Sequence, residues 1–378
     1  MLRRRHKKSK KGCEQCKQRH VKCDEGRPTC RLCTLTDRKC SFSSLDLPSP
    51  PSTSNSLPSP DPNDASTSAS SPTPTSVENV VNMEHMELFV HLITNRDLFS
   101  LGDTVKDYKA TLDVCIKESV KAPYLLHQML AFSARHLAVI HPDRANRHLE
   151  QAISLQTRAV SLFNATRREV DSSNCVPILL FSITLGHHLL ADALAYRGSD
   201  GLYGFLEYYT HCVDLNRGIY NVAASAWPLL VESEIEPVLS WSRKASAKEP
   251  TGTECAPISR LVDDSTTLGN KEKEVCYSAI QYLQVGFDAM SSGEEDARYR
   301  MIFQWTMLAS PELRTLLSER KPEALILLSY YALLLHHGRR LWQIGNAGEY
   351  LIGVIRDYLG PEWHFWLEYP GRIIRDSV

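Results

Sequence analysis

From about Val80 onward, apolar residues recur every three or four positions. Met83, Met86, Phe89, Val90 and Ile93 form the first such stripe, the spacing of a one-sided helix. Leu125, Met129, Phe132, His136 and Ile140 form a second, and Leu149, Ala152, Ile153, Val160 and Phe163 a third. Val176–Leu194 is apolar around most of its circumference, as a central helix should be. Further helical segments are expected at about 225–243, 275–290, 298–308, 322–342 and 347–359. Alternating runs between hairpin turns are lacking, so strands should be few. Residues 244–272 are polar and carry Pro250, Gly252, Pro257 and Gly269, which predicts a loop or insertion. Without a fixed repeat period, the pattern describes an all-α bundle rather than a repeat array.

Upstream, the periodicity stops. Residues 41–76 hold 25 Ser, Thr or Pro among 36 positions and no Lys or Arg. Such a stretch cannot bury a core and predicts a disordered Ser/Pro/Thr linker with polyproline character. No heptad precedes Val80, so a coiled coil is not expected there. The first 40 residues contain few aliphatics, among them Val21, Leu32 and Leu35. Segments of about 40 residues cannot fold on hydrophobic burial alone. The expected organisation is a basic arm at 1–12, a small module at 13–40, a linker at 41–78 and a helical domain at 79–378.

Charge sharpens this division. The net charge of −1 conceals a head of +10 over residues 1–40 and a remainder of −11. A basic head on an acidic body implies a polyanionic partner for the head. Residues 3–11, RRRHKKSKK, lack the apolar run of a secretory signal and read as a nuclear import signal. The longest apolar run, Leu325–Leu328 and Ala332–Leu335 around three polar residues, is about half a membrane span, so a stable membrane span is not expected.

Six of the 11 cysteines lie within residues 13–40, spaced C-x2-C-x6-C-x6-C-x2-C-x6-C. The unit C-x2-C-x6-C occurs twice, as Cys13, Cys16, Cys23 and as Cys30, Cys33, Cys40, which implies a pseudo-twofold module. A redox C-x-x-C or a disulfide knot does not explain that doubling. Zinc prefers four ligands in a tetrahedron. Six thiolates can serve one ion with two sulfurs left over, or two ions with two sulfurs shared. The second uses every cysteine and is the favoured reading. Metal binding would then supply most of the folding free energy of a segment with so little core.

Residues 10–42 (KKGCEQCKQRHVKCDEGRPTCRLCTLTDRKCSF) resemble the fungal Zn2Cys6 zinc-cluster transcription factors. The resemblance implies two zinc ions bridged by Cys13 and Cys30, with Cys16 and Cys23 completing one site and Cys33 and Cys40 the other. Pro28 matches a loop proline between the halves. It also implies a first helix in the major groove of double-stranded DNA. Arg19 and His20 are the expected base readers. Lys17, Lys22, Arg38 and Lys39 are the expected phosphate contacts, whose neutralised charges release counterions. Since His20 stands where many members carry lysine, a CG-containing element is expected rather than a fixed triplet.

Residues 322–369 carry a YALLLH stretch, a glycine-bearing loop and G-P-x-W at Gly360–Trp363. They resemble the regulatory domain of the sterol uptake control protein family, as do 86–99 and 124–137. That resemblance implies a dimeric α-helical unit with a sterol or other lipid pocket, sensed near Trp342, Gly345 and Gly348. It further implies cytoplasmic retention when liganded, nuclear entry otherwise, and contact with the transcription machinery. A regulator of a metabolic or secondary-metabolite gene cluster without sterol sensing is the competing reading. Enzymatic activity is not expected, because G-x-S-x-G, H-E-x-x-H, P-loop and G-x-G-x-x-G patterns are lacking. His187–His188 and His336–His337 read as core or surface histidines, and Cys175 and Cys276 as small apolar fillers.

Overall fold

The computed structural model describes residues 12–19, 21, 23, 24, 30, 33, 40, 41, 81–99, 108–166, 169–292, 299–308 and 310–376. Residues 1–11 of the basic arm and 42–78 of the Ser/Pro linker lie outside them. The chain divides into two units, residues 1–76 and 77–378. In the first, one short helix, α1 (Glu14–Gln18), is described.

The second unit is built of helices joined by turns and loops, with no strand among its described residues. Its helices are α2 (Met83–Thr94), α3 (Tyr108–Lys121), α4 (Pro123–Ile140), α5 (Ala145–Thr166), α6 (Cys175–Ala195) and α7 (Leu202–Ser225). There follow α8 (Trp227–Leu230), α9 (Glu236–Ser246), α10 (Ala256–Asp264), α11 (Asn270–Ser291) and α12 (Arg300–Leu308). The last four are α13 (Pro311–Ser318), α14 (Pro322–His337), α15 (Ala347–Leu359) and α16 (His364–Asp376). Local chemistry fixes several starts. Pro123, Pro311 and Pro322 open their helices, where the missing N–H is no loss. Asn82 caps α2 by accepting from the His85 N–H at 3.0 Å, and Ser310 caps α13.

Two apolar groups organise this unit. The larger surrounds α14, whose residues 323–336 are all buried. It takes in Tyr209 of α7, Leu283 of α11, Trp305 of α12 and Leu351 of α15. Three of the buried polar groups there find partners inside it. Trp305 Nε1 donates to the Ala279 carbonyl at 3.2 Å, Tyr331 Oη to the Ile302 carbonyl at 2.7 Å, and Asn216 Nδ2 to Thr306 Oγ1 at 2.9 Å. The smaller group joins Leu92, Leu125, Met129, Phe132 and Phe181 from α2, α4 and α6. Thus α14, rather than α6, is the most enclosed helix. By length and composition α6 is apolar enough to cross a membrane; here 61% of its apolar window is buried inside the helical unit.

The structure corrects three sequence expectations. The buried face of α2 lies one phase away from the expected stripe. Leu88 and Leu92 are buried, whereas Met83, Met86, Val90 and Ile93 are exposed. Both sets have helical spacing, and an i,i+4 leucine pair offers the deeper anchor. Along α5, Ile153 is exposed, and the buried side carries His148, Ala152, Leu155 and Ala159. Residues 244–272 are not a loop throughout: α10 buries Ile258, Leu261 and Val262 against the larger group. Their i, i+3, i+4 face is hidden in a polar average. Beyond α10, Ser265 and Thr267 donate to the buried Glu323 carboxylate at 2.5 and 2.6 Å.

Candidate metal centre and nucleic-acid interface

The first unit is built on sulfur. Cys13, Cys16, Cys23, Cys30 and Cys33 are at most 2% exposed, in a segment with almost no aliphatic core. Two backbone bonds repeat with the sequence unit. The Cys13 N–H donates to Cys23 Sγ at 3.5 Å, and the Cys30 N–H to Cys40 Sγ at 3.3 Å. Each spans ten residues, so the doubled spacing reappears as a doubled geometry. The helix following Cys13 turns Cys16 inward and Lys17, Gln18 and Arg19 outward. Ser41 closes the segment, a contact that sequence reasoning missed. Its carbonyl accepts from the Glu14 N–H at 2.8 Å, and its own N–H donates to Gln15 Oε1 at 2.9 Å. Only its place next to the last cysteine hinted at this.

The sulfurs form two sets of four. Cys13, Cys16, Cys23 and Cys30 have Sγ atoms within 4.8 Å of one another, and so do Cys13, Cys30, Cys33 and Cys40. Cys13 and Cys30 belong to both. Their Sγ atoms lie 3.7 Å apart, as do Cys13–Cys33 and Cys16–Cys30. A tetrahedron with zinc–sulfur bonds of about 2.3 Å has edges of about 3.8 Å. The donor set therefore fits a pair of tetrahedral thiophilic cations. Without a cation, burial and the neighbouring sulfurs push the Cys16 thiol well up and the Cys33 thiol up to about 12. A packed group of sulfurs cannot ionise together unless positive charge sits among them.

Of the expected DNA contacts, Lys17 and Arg19 are exposed at the end of α1. His20, Lys22, Arg38 and Lys39 lie outside the described residues. In the second unit, Trp342, Gly345 and Gly348 have three different settings. Trp342 wedges against Phe132 and His136, with ring centroids 5.0 and 4.8 Å away, and Nε1 donates to the Leu98 carbonyl at 3.1 Å. Gly345 occupies an exposed turn at φ +52°. Gly348 lies in the first turn of α15, pressed on the backbone of α14. The histidine pairs serve the core: His187 packs on Phe303 at 4.5 Å, and buried His188 accepts from Gln128 Nε2 at 3.3 Å.

Residues 11–47 match the fungal Zn(2)-Cys(6) binuclear cluster domain. The chain thus carries, at residues 11–47, a zinc-cluster domain of the kind that binds two zinc ions and is found in fungal transcription factors. It is 27% identical to the Zn(2)-C6 fungal-type transcription factor afumD of Aspergillus fumigatus, over 85% of this chain and 83% of the relative. It is 22% identical to a Zn(2)-C6 fungal-type transcription factor of Gibberella zeae, over 98% of this chain and 86% of that protein. Sterol uptake control protein 2 of Saccharomyces cerevisiae is 52% identical over 42 residues, 11% of this chain and only 5% of the yeast protein. That likeness belongs to the zinc cluster and does not extend to the helical unit.

Proposed function

We propose that this chain is a nuclear, sequence-specific regulator of transcription that reads a CG-containing element in double-stranded DNA. The observation that carries the reading is the pair of four-sulfur groups sharing Cys13 and Cys30. In this reading Cys13 and Cys30 bridge the ions, Cys16 and Cys23 complete one site, and Cys33 and Cys40 the other. The ions supply shape rather than reaction: they hold α1 at a fixed angle on a segment without an apolar core. Arg19 and His20 reach base edges, and Lys17, Lys22, Arg38 and Lys39 grip phosphates. The net +10 over residues 1–40 supports a strong counterion-release contribution to affinity. Zinc-dependent footprinting tests this. The full chain should protect one family of CG-containing sites, and chelation should abolish protection. A Cys30→Ala protein that footprints the same sites with equal affinity would overturn it.

The helical unit is proposed to dimerise the protein and to tune its output, with the transcription machinery as its eventual partner. Control of a metabolic or secondary-metabolite gene set is the better-supported form. The likeness to a sterol regulator is confined to the cluster, and Trp342 is engaged in packing rather than lining open space. A sterol role, including retention outside the nucleus when liganded, would require sterol to raise the Tm of the full chain; an unchanged Tm removes it.

A further inference from the structure

A cavity of about 350 Å³ opens between α16, the buried helix α14 and the start of α10. Its wall is aromatic: Phe365, Trp366 and Tyr369 from α16, with Tyr330 of α14 beneath. Phe365 is 72% exposed, an unusual cost for a phenylalanine with nothing to cover it. Tyr330 and Tyr369 stack with centroids 5.8 Å apart. Tyr330 is wholly buried, yet its hydroxyl has no hydrogen-bond partner. A buried hydroxyl left unpaired is destabilising, and a ligand atom is one means of satisfying it. At the rim stand Arg372 and Arg375, one turn apart and both exposed. Neither makes an ion pair among the described residues. A guanidinium held beside aromatic faces is suited to bidentate capture of a carboxylate. Glu368 shares the rim, one turn before Arg372. The three rim charges sum to a single positive charge, which favours a monoanion over a polyphosphate.

We propose that this cleft is an effector site for a flat, largely apolar molecule carrying one carboxylate. The ring system lies along Phe365, Trp366 and Tyr369. The carboxylate meets Arg372, assisted by Arg375, and a polar atom of the ligand reaches the Tyr330 hydroxyl. The volume falls in the range of small-molecule pockets, at its lower end. A ligand here would tie α16 to α14 and α10, three elements of the largest apolar group, and so bias the helical unit as a whole. The site does not depend on the zinc cluster or on the proposed DNA element.

The test is calorimetric titration of the zinc-loaded full chain with 2-naphthoate and with its neutral analogue 2-naphthylmethanol. Saturable binding of one naphthoate per chain, with Kd below about 1 mM, is expected. The alcohol should bind about tenfold more weakly. Arg372→Gln should weaken naphthoate about tenfold, since the side chain is exposed and folding does not depend on it. Tyr330→Phe should weaken it several-fold while the unliganded Tm stays level or rises, because an unpaired hydroxyl is removed from the core. Failure of naphthoate to saturate, equal affinity for the alcohol, or affinities unchanged in both variants would each overturn the proposal.

Discussion

Gly348→Ala is a one-carbon change with a steep expected cost. An added Cβ would lie 2.4 Å from the Ala332 carbonyl oxygen and 2.7 Å from the His336 nitrogen. Ordinary contacts begin near 3.4 Å, so α15 would have to retreat from α14 by about 1 Å. Both partners are helix backbone and cannot swing aside. The retreat would loosen Ala347, Leu351 and Ile355, each at most 1% exposed. Overpacking of this kind costs about 3 kcal/mol, and the better helix propensity of alanine returns up to about 1 kcal/mol. The net loss of about 2 kcal/mol should lower the Tm by about 3 °C in a domain of this size. Gly353 is the internal control. It sits on the same helix with nothing within 4 Å of an added Cβ, so Gly353→Ala should raise the Tm slightly. Thermal denaturation of the two variants of the full chain separates the cases. Equal Tm values for Gly348→Ala and Gly353→Ala would refute close helix packing as the reason for glycine at 348.

Other expectations follow from the same geometry. Cys13→Ala removes a sulfur common to both four-cysteine groups and should abolish both metal sites, whereas Cys40→Ala should leave one four-sulfur group intact; matched single-ion losses, read by native mass, would argue against sharing. Lys17→Ala should weaken binding to all DNA sequences alike and reduce the salt slope by about 1, while Arg19→Ala should also relax base preference; an unchanged salt slope for Lys17→Ala would remove it from the phosphate contacts. Burial holds His136 and His188 at about 4, below the usual histidine value, so the neutral ring is the stabilised form. The unfolded chain then binds more protons between pH 6.5 and 4: this stability is complete above about pH 6.5 and is lost as pH falls. Urea denaturation should show a loss of about 3 kcal/mol from pH 7 to pH 5, smaller in His188→Gln, and a flat profile would contradict it.

The cluster was legible because metal chemistry writes itself in spacing. The doubled C-x2-C-x6-C unit predicted six gathered sulfurs, and they are gathered in two groups sharing two members. The all-α character was legible from periodicity alone. What periodicity could not supply was phase. In α2 seven of twelve positions are apolar and they spread over more than one face, so a stripe through Met86 and Val90 has the same spacing as the true anchor through Leu88 and Leu92. Composition likewise hid α10, whose three buried residues are diluted by polar neighbours. Gly348 drew attention as a loop glycine, yet its reason is a close approach between helices distant by no rule visible in the sequence. The cleft beside α16 was invisible for a related reason: Tyr330 and Arg372 are 42 positions apart, and only the fold makes them neighbours.

Native mass spectrometry of the zinc-loaded full chain, paired with thiol alkylation, bears most directly on the shared-sulfur centre. Two zinc ions per chain should be found, with all six N-terminal cysteines protected until a chelator is added. One ion per chain, or two ions with any of the six freely alkylated, would contradict it.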